Sequence, residues 1–191
     1  MKKHLRQEMK RRLGAMAPGR IAARSRAAAG LLVAQEEFAR ARVVMLYLAM
    51  AGEADPSQAA VGAWRQGKTV LAPRVDWDRR RMIALEIRPG ESDLIVNPYG
   101  IREPAGGRAW PAEDIDLIIV PALAYDCSGG RLGRGGGFYD RFLASPGVRA
   151  VTCGFALAEQ VVDELPVHAH DKRVTMLVTD KEVLRFSGMK Q

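Results

Sequence analysis

The sequence predicts a single α/β domain built on a largely parallel sheet. Three observations carry that expectation. Val43–Ala49 (VVMLYLA) and Ile115–Val120 are unbroken apolar runs, the pattern of strands buried on both faces. A segment of helical character separates the first run from the next, Thr69–Pro73, and strand–helix–strand order implies a right-handed crossover. A chain of 191 residues, 48% of them hydrophobic, is long enough for one domain with its own core.

Taken in order, residues 2–16 read as an amphipathic helix. Leu5, Met9, Leu13 and Met16 form an apolar stripe, and Lys2, Arg6 and Lys10 a basic ridge at spacing four. Gly14 to Gly19, with Pro18, breaks it, and Ile21–Phe38 reads as a second helix. The strand Val43–Ala49 ends in Met50-Ala51-Gly52-Glu53-Ala54-Asp55-Pro56. There Asp55 suits an N-cap, Pro56 the first helical position, and Gln58 a capping box, for a helix reaching about to Gln66. Thr69–Pro73 and Met82–Ile87 are the next strands. Pro89–Pro111, dense in Pro and Gly, predicts a long surface excursion with one extended piece at Leu94–Val96. Ile115–Val120 is followed by a glycine-rich stretch and a helix over Phe138–Leu143. Val148–Phe155 and Val174–Thr179 read as strands, with a short turn or helix at Gln160–Leu165 and a tail element at Lys181–Phe186.

Composition narrows the function. No apolar run is long enough to span a bilayer, so no membrane partner is expected. The basic first residues lead into no apolar leader core, and Cys127 and Cys153 make neither a zinc pattern nor a CxxC; a reducing, cytoplasmic setting follows. The net charge of +7 raises nucleic acid as a partner. Nine basic residues against Glu8 alone give residues 1–26 a net +8, leaving −1 for the rest. A basic patch on a neutral body suits ATP phosphates or a polyanionic tail as well as nucleic acid.

The chemistry concentrates in VPALAYDCSGGRLGRGGGFYDRFL, Val120–Leu143. Six glycines, Gly129, Gly130, Gly133, Gly135, Gly136 and Gly137, lie between an apolar strand and a helix. Backbone N–H groups released by glycine, a following helix N-terminus, and Arg131 and Arg134 suit a phosphate. The stretch is neither a Walker A loop nor a dinucleotide fingerprint, and glycine content alone leaves a flexible turn equally open. Near the C-terminus, His168, His170 and Asp171 invite a metal reading. In an extended chain the two histidines would point to opposite sides, which disfavours a transition-metal site.

The string RLGRGGGFYDRFL, after a strand and PALAYD, closely resembles the signature of the 5-formyltetrahydrofolate cyclo-ligase (5,10-methenyltetrahydrofolate synthetase) family. NPYGIREP and the N-terminal Lys-x-x-Leu-Arg extend the likeness over nearly the whole chain, 1–191, as one domain with its basic N-terminal helices, 1–40, packed on an α/β body. The resemblance implies a three-layer sandwich resembling the ribose-5-phosphate isomerase and CoA transferase fold, acting as a monomer. It implies ATP- and Mg²⁺-dependent closure of 5-formyltetrahydrofolate, with or without a polyglutamate tail, to 5,10-methenyltetrahydrofolate, and no nucleic-acid partner. A non-catalytic nucleotide- or folate-binding module, or a nucleic-acid binder, is the alternative.

The resemblance also implies residue roles. Lys2, Lys3, Arg6, Arg131, Leu132, Gly133, Arg134, Gly135, Gly136, Gly137, Phe138 and Tyr139 match positions that bind ATP. Leu48, Glu53, Arg134, Gly135, Gly136, Gly137 and Phe138 match positions that line the folate, Glu53 at its pterin end. Arg134 is the catalytic cation, and Asp140 and Asp171 the metal acids. On residues alone, Glu53 is an ordinary loop acid, Leu48 a strand leucine, and the Lys2 ridge a solvated helix face. Gly136 stands where many members carry Lys, and Phe138 where the first Tyr of Tyr-Tyr-Asp is usual.

Overall fold

The computed structural model describes residues 1–90 and 93–186; positions 91–92 of the predicted excursion, and 187–191, lie outside the described residues. The chain opens with helices α1 (Lys2–Gly14) and α2 (Pro18–Val33). The second predicted helix is broken: a short α3 (Glu36–Arg40) follows after Ala34 and Gln35. Gln35 ends α2 by donating from Nε2 to Leu31 O at 2.6 Å, and the bend lets Phe38 enter the core, fully buried.

Strand β1 (Val43–Met45) is shorter than the apolar run predicted. Leu46 N–H still bonds Leu71 O at 2.9 Å, but the chain then leaves the ladder, pinned by Tyr47 OH donating to Ala54 O at 2.5 Å. Residues 46–49 are apolar because they face the core and a cavity, not because they extend the strand. Helix α4 (Ser57–Arg65) begins one residue later than expected: Pro56, not Asp55, is its N-cap, and Asp55 Oδ1 accepts Ser57 N–H at 2.9 Å from just outside it. The predicted capping box does not form, because Asp55 N–H goes to Ser25 Oγ on α2, at 3.0 Å, instead of to Gln58.

Strands β2 (Thr69–Asp76) and β3 (Arg81–Glu86) form an antiparallel hairpin. The excursion holds β4 (Leu94–Val96) paired with β5 (Arg102–Pro104), and β6 (Ala109–Trp110), which joins β3. Then come β7 (Leu117–Val120), β8 (Ala124–Asp126), β9 (Arg131–Leu132), α5 (Phe138–Leu143), β10 (Val151–Phe155), β11 (Val161–Val162), β12 (Met176–Val178) and β13 (Val183–Arg185).

The main sheet has eight strands in the order β13-β12-β10-β7-β1-β2-β3-β6. The five from β12 to β2 run parallel, and β13, β3 and β6 are antiparallel additions at the two edges. Side chains alternate as a strand demands. Val44, Leu117 and Ile119 pack on one side with Ala28, Leu32, Phe38 and Ala60 of α2, α3 and α4. Met45, Ile118 and Val120 pack on the other with Phe142 of α5 and Tyr125 of β8. The predicted apolar stripe of α1 holds: Met9 and Leu13 sit on Leu123, Leu132 and Leu165, against a small sheet ordered β11-β8-β9.

Strand β1 lies between β2, the next strand in the chain, and β7, from which the order runs the other way through β10 to β12. That reversal is a topological switch point, where open α/β sheets leave a crevice beyond their carboxyl ends.

Candidate active site

A cavity of about 750 Å³ occupies this place. Tyr47, Leu48, Met50 and Glu53 reach it from the loop after β1, Pro121 and Ala122 from the end of β7, and Pro73 and Val75 from β2. The far wall is the glycine loop and the start of α5. Because α1 is seated on the small sheet, its basic ridge overhangs the opening: Lys2 and Arg6 line the cavity, while Lys10 is exposed to solvent. Lys3, on another face of the helix, is exposed and does not line the cavity.

The glycines divide between two tasks that the sequence showed as one loop. Gly129 and Gly130 belong to the β8–β9 turn, closed by Asp126, whose Oδ1 accepts the N–H groups of Ser128 and Gly130, both at 2.8 Å. Burial pushes the Asp126 carboxyl up, but the Ser128 hydroxyl, donating at 2.7 Å, with these N–H groups and Leu165 N–H, more than offsets it and holds it below the usual carboxylate range. Of the six glycines, Gly133, Gly135, Gly136 and Gly137 line the cavity. Gly137 is the N-cap of α5 with φ 67°, a left-handed conformation that favours glycine. The first bond of α5 runs from Arg141 N–H to Gly137 O at 3.1 Å, so the N–H groups of Phe138, Tyr139 and Asp140 have no helical acceptor. Arg6 Nε donates to Gly133 O at 2.8 Å, and its guanidinium lies beside Gly135. This puts a cation against the loop that lacks the family's lysine. A side chain at Gly136 would meet the Phe138 ring at 2.8 Å, and that ring is held edge-on to Trp77 at 5.0 Å and under Arg141.

Three acid–cation pairs cross the cavity. Lys2 Nζ donates to Asp171 Oδ2 at 2.5 Å, joining α1 to a turn 169 residues away. Arg131 Nη2 donates to Asp140 Oδ1 at 2.6 Å, and Lys172 N–H reaches the same oxygen at 3.0 Å. Arg134 places Nε and Nη2 each 2.7 Å from Glu53 Oε1. Burial raises the Asp171 carboxyl, but the Lys2 ammonium and the His168 N–H outweigh it and leave it below its ordinary value. Tyr139 lines the cavity with its hydroxyl buried and without a hydrogen-bond partner; burial, then the Glu53 charge, pushes its pKa well above the usual phenol value.

The structure thus gathers every predicted site residue except Lys3 around one cavity. It corrects the reading of the two histidines. Asp171 N–H bonds His168 O at 3.0 Å, closing a turn, and the His168 and His170 rings lie 5.6 Å apart, both lining the cavity. Among the described residues, no group of three or more His, Cys, Asp or Glu stands ready to hold a metal ion. Sequence reading missed Glu103, only 3% exposed, whose Oε1 accepts from Asn97 Nδ2 at 2.9 Å and Val75 N–H at 3.3 Å. An acid inside the string GIREP, within a glycine- and proline-rich segment, was the available signal. Arg80, Arg102 and Arg141 also line the cavity; Arg102 and Arg141 stand inside the strings NPYGIREP and RLGRGGGFYDRFL without having been given a role, and nothing in the sequence set Arg80 apart from surface arginines.

The sequence profile of the 5-formyltetrahydrofolate cyclo-ligase family matches residues 1–180. The chain belongs to that family. It is, with the family, a ligase. A 5-formyltetrahydrofolate cyclo-ligase of Mus musculus is 27% identical over 183 residues, 91% of this chain and 90% of that protein. Its counterpart in Escherichia coli (strain K12) is 33% identical over 147 residues, 75% of this chain and 80% of that one. The NMR structure of Aquifex aeolicus 5,10-methenyltetrahydrofolate synthetase superposes with a TM-score of 0.85 at 30% identity, covering 100% of this chain and 95% of that one. A 5,10-methenyltetrahydrofolate synthetase from Mycoplasma pneumoniae shares the fold, with a TM-score of 0.76 at 18% identity over 94% of this chain and 98% of that one. Among the described residues no helix is long and apolar enough to cross a membrane.

Proposed function

We propose that this protein closes 5-formyltetrahydrofolate to 5,10-methenyltetrahydrofolate at the expense of ATP, releasing ADP and phosphate. Family membership supports the reaction, and one observation supports its location. A single cavity at the switch point is lined both by the apolar and acidic residues after β1 and by the glycine loop with its cations. That combination suits a flat, partly apolar pterin beside a polyphosphate.

The chemical obstacle is the N5-formyl group, an amide whose oxygen leaves poorly. Transfer of the γ-phosphoryl group to that oxygen makes it a leaving group. N10 then attacks the formyl carbon, the ring closes with loss of the N10 proton, and the former formyl oxygen departs within phosphate. Such chemistry asks for position and fixed charge rather than a protein nucleophile. In this reading Gly133–Gly137 receive the phosphates through backbone N–H groups, with Arg6 and Lys2 closing over them from α1. Arg134 meets charge developing on the transferring phosphoryl group, and Arg131 steadies the nucleotide side. Glu53 accepts N–H donors of the pterin, with Leu48 against the ring.

The donor set is compatible with Mg²⁺. Asp140 and Asp171 supply hard oxygens; the hydrogen bonds described fall on Asp140 Oδ1 and Asp171 Oδ2, and Asp171 Oδ1 has His170 Nε2 3.9 Å away. Two carboxylates are too few for a protein-only cage and suit an ion that completes its shell with phosphate and water. When bound, the ion would neutralise phosphate charge.

Oxygen tracing tests the mechanism. With ¹⁸O in the formyl group, the label is expected in the released phosphate. Label retained in the folate or lost to water would exclude phosphorylation of the formyl oxygen.

A further inference from the structure

Glu53 and Arg134 stand 81 residues apart and belong, in the reading above, to different substrates. They are nevertheless paired, with both Nε and Nη2 of the guanidinium 2.7 Å from Glu53 Oε1. The other carboxylate oxygen, Oε2, accepts Met50 N–H at 2.9 Å, so both oxygens of Glu53 are engaged. Glu53 is 12% exposed and Arg134 37% in their side chains, and no second carboxylate holds Arg134 among the described residues. A ligand whose N–H groups seek Glu53 therefore competes with the guanidinium. An anion that draws Arg134 away competes with Glu53.

We propose that this ion pair couples the two substrates: Glu53 acts as a positioning residue that holds Arg134 off the phosphate until the folate takes its carboxylate. The proposal rests on the assignment of Glu53 to the pterin and Arg134 to the transferring phosphoryl group. Its sign follows from linkage. A folate that takes the Glu53 carboxylate bears the cost of separating the pair, and a nucleotide in the same cavity then meets an arginine already released. Each ligand therefore tightens the other by the same factor. A partly exposed pair places that factor at the low end of the usual range, about fivefold. The device also bears on specificity. Nucleotide bound alone leaves Arg134 on Glu53, away from the γ-phosphate, so the folate completes the catalytic arrangement as it arrives.

Calorimetric binding of Mg·AMP-PNP, a non-transferring ATP analogue, to the full chain tests this. In the wild type, saturating 5-formyltetrahydrofolate is expected to lower the AMP-PNP Kd about fivefold. In Glu53→Gln, without folate, AMP-PNP is expected to bind more tightly than to wild type by a similar factor. The amide carries no charge to hold Arg134, yet its oxygen can still accept Met50 N–H and keep the loop. If Glu53 serves the folate alone, nucleotide affinity without folate is identical in wild type and variant, and that overturns the proposal. An AMP-PNP Kd unmoved by folate in the wild type overturns it independently of whether the variant folds. Failure of the wild type to bind AMP-PNP at all would instead overturn the nucleotide assignment on which the proposal stands.

Discussion

Arg24 on α2 and Arg134 in the glycine loop each clasp a carboxylate far away in the chain, in two different settings. Arg24 gives Nε and Nη2 to the two oxygens of Asp180, at 2.6 and 2.9 Å, and Nη1 to Glu159. Ala158 N–H adds a further bond to Asp180 at 2.8 Å. The two carboxylates, Asp180 first, hold the guanidinium proton more firmly than usual. Arg134 meets a single carboxylate oxygen, at the edge of a 750 Å³ cavity. The first pair joins α2 to the loops after β10 and β12 and does not line the cavity. The second borders a space where ligands offer both partners alternatives. Ion pairs of the first kind tie elements of the scaffold together; those of the second kind are the ones we propose take part in the reaction.

The sharpest way to break this contrast is to remove each arginine. Arg134→Ala is expected to cut turnover by about 10²–10³-fold, the usual cost of losing one transition-state donor, with a melting temperature close to wild type. Wild-type turnover at matched folding would end its catalytic role. Arg24→Ala should do the reverse. Asp180 then loses its cation and Glu159 keeps only Arg20, 3.6 Å away, at an expected cost of about 3 kcal/mol of stability in urea unfolding, while turnover per folded molecule is unchanged. A drop in turnover without loss of stability would move Arg24 out of the scaffold.

Smaller effects sharpen the account inside the cavity. Asp140→Asn is expected to raise the Mg²⁺ concentration for half-maximal turnover, and an unshifted titration would remove Asp140 as a ligand. The smallest effect concerns acid. Asp171 has a folded pKa below its ordinary value, so its contribution to stability is complete above the unfolded pKa, about 4, and is lost as pH falls through the folded value. Lys2→Met removes the ammonium opposing burial and should move the acid-unfolding limb slightly toward neutral pH. A limb at the same pH would mean that His168 N–H and the nearby His170 sustain Asp171 without Lys2.

Much of this was legible because it is local. The stripe Leu5, Met9, Leu13 and Met16 fixed the seat of α1, and with it the direction of Lys2 and Arg6. Glycine followed by an amphiphilic turn marked α5 from Phe138 to Leu143. What escaped is not local. Strands β8, β9 and β11 hold two or three residues each, too few to show a period of two. The sequence therefore shows β8 and β9 as loop and β11 as part of a short turn or helix over Gln160–Leu165, although the small sheet they build seats α1 beside the cavity. The early exit of β1 depends on Tyr47 bonding Ala54, an event an apolar run does not reveal. The pairings Glu53–Arg134 and Lys2–Asp171 join residues 81 and 169 positions apart. Family resemblance marked each of these residues without indicating that the acids hold the cations.

The most direct test of the account is a turnover assay. Purified protein with MgATP and 5-formyltetrahydrofolate is expected to produce the near-ultraviolet absorbance of the methenyl product, with one ADP formed per product and no signal without ATP or with EDTA. Folded protein that binds nucleotide yet forms no methenyl product would contradict the account and leave a binding module on the same fold.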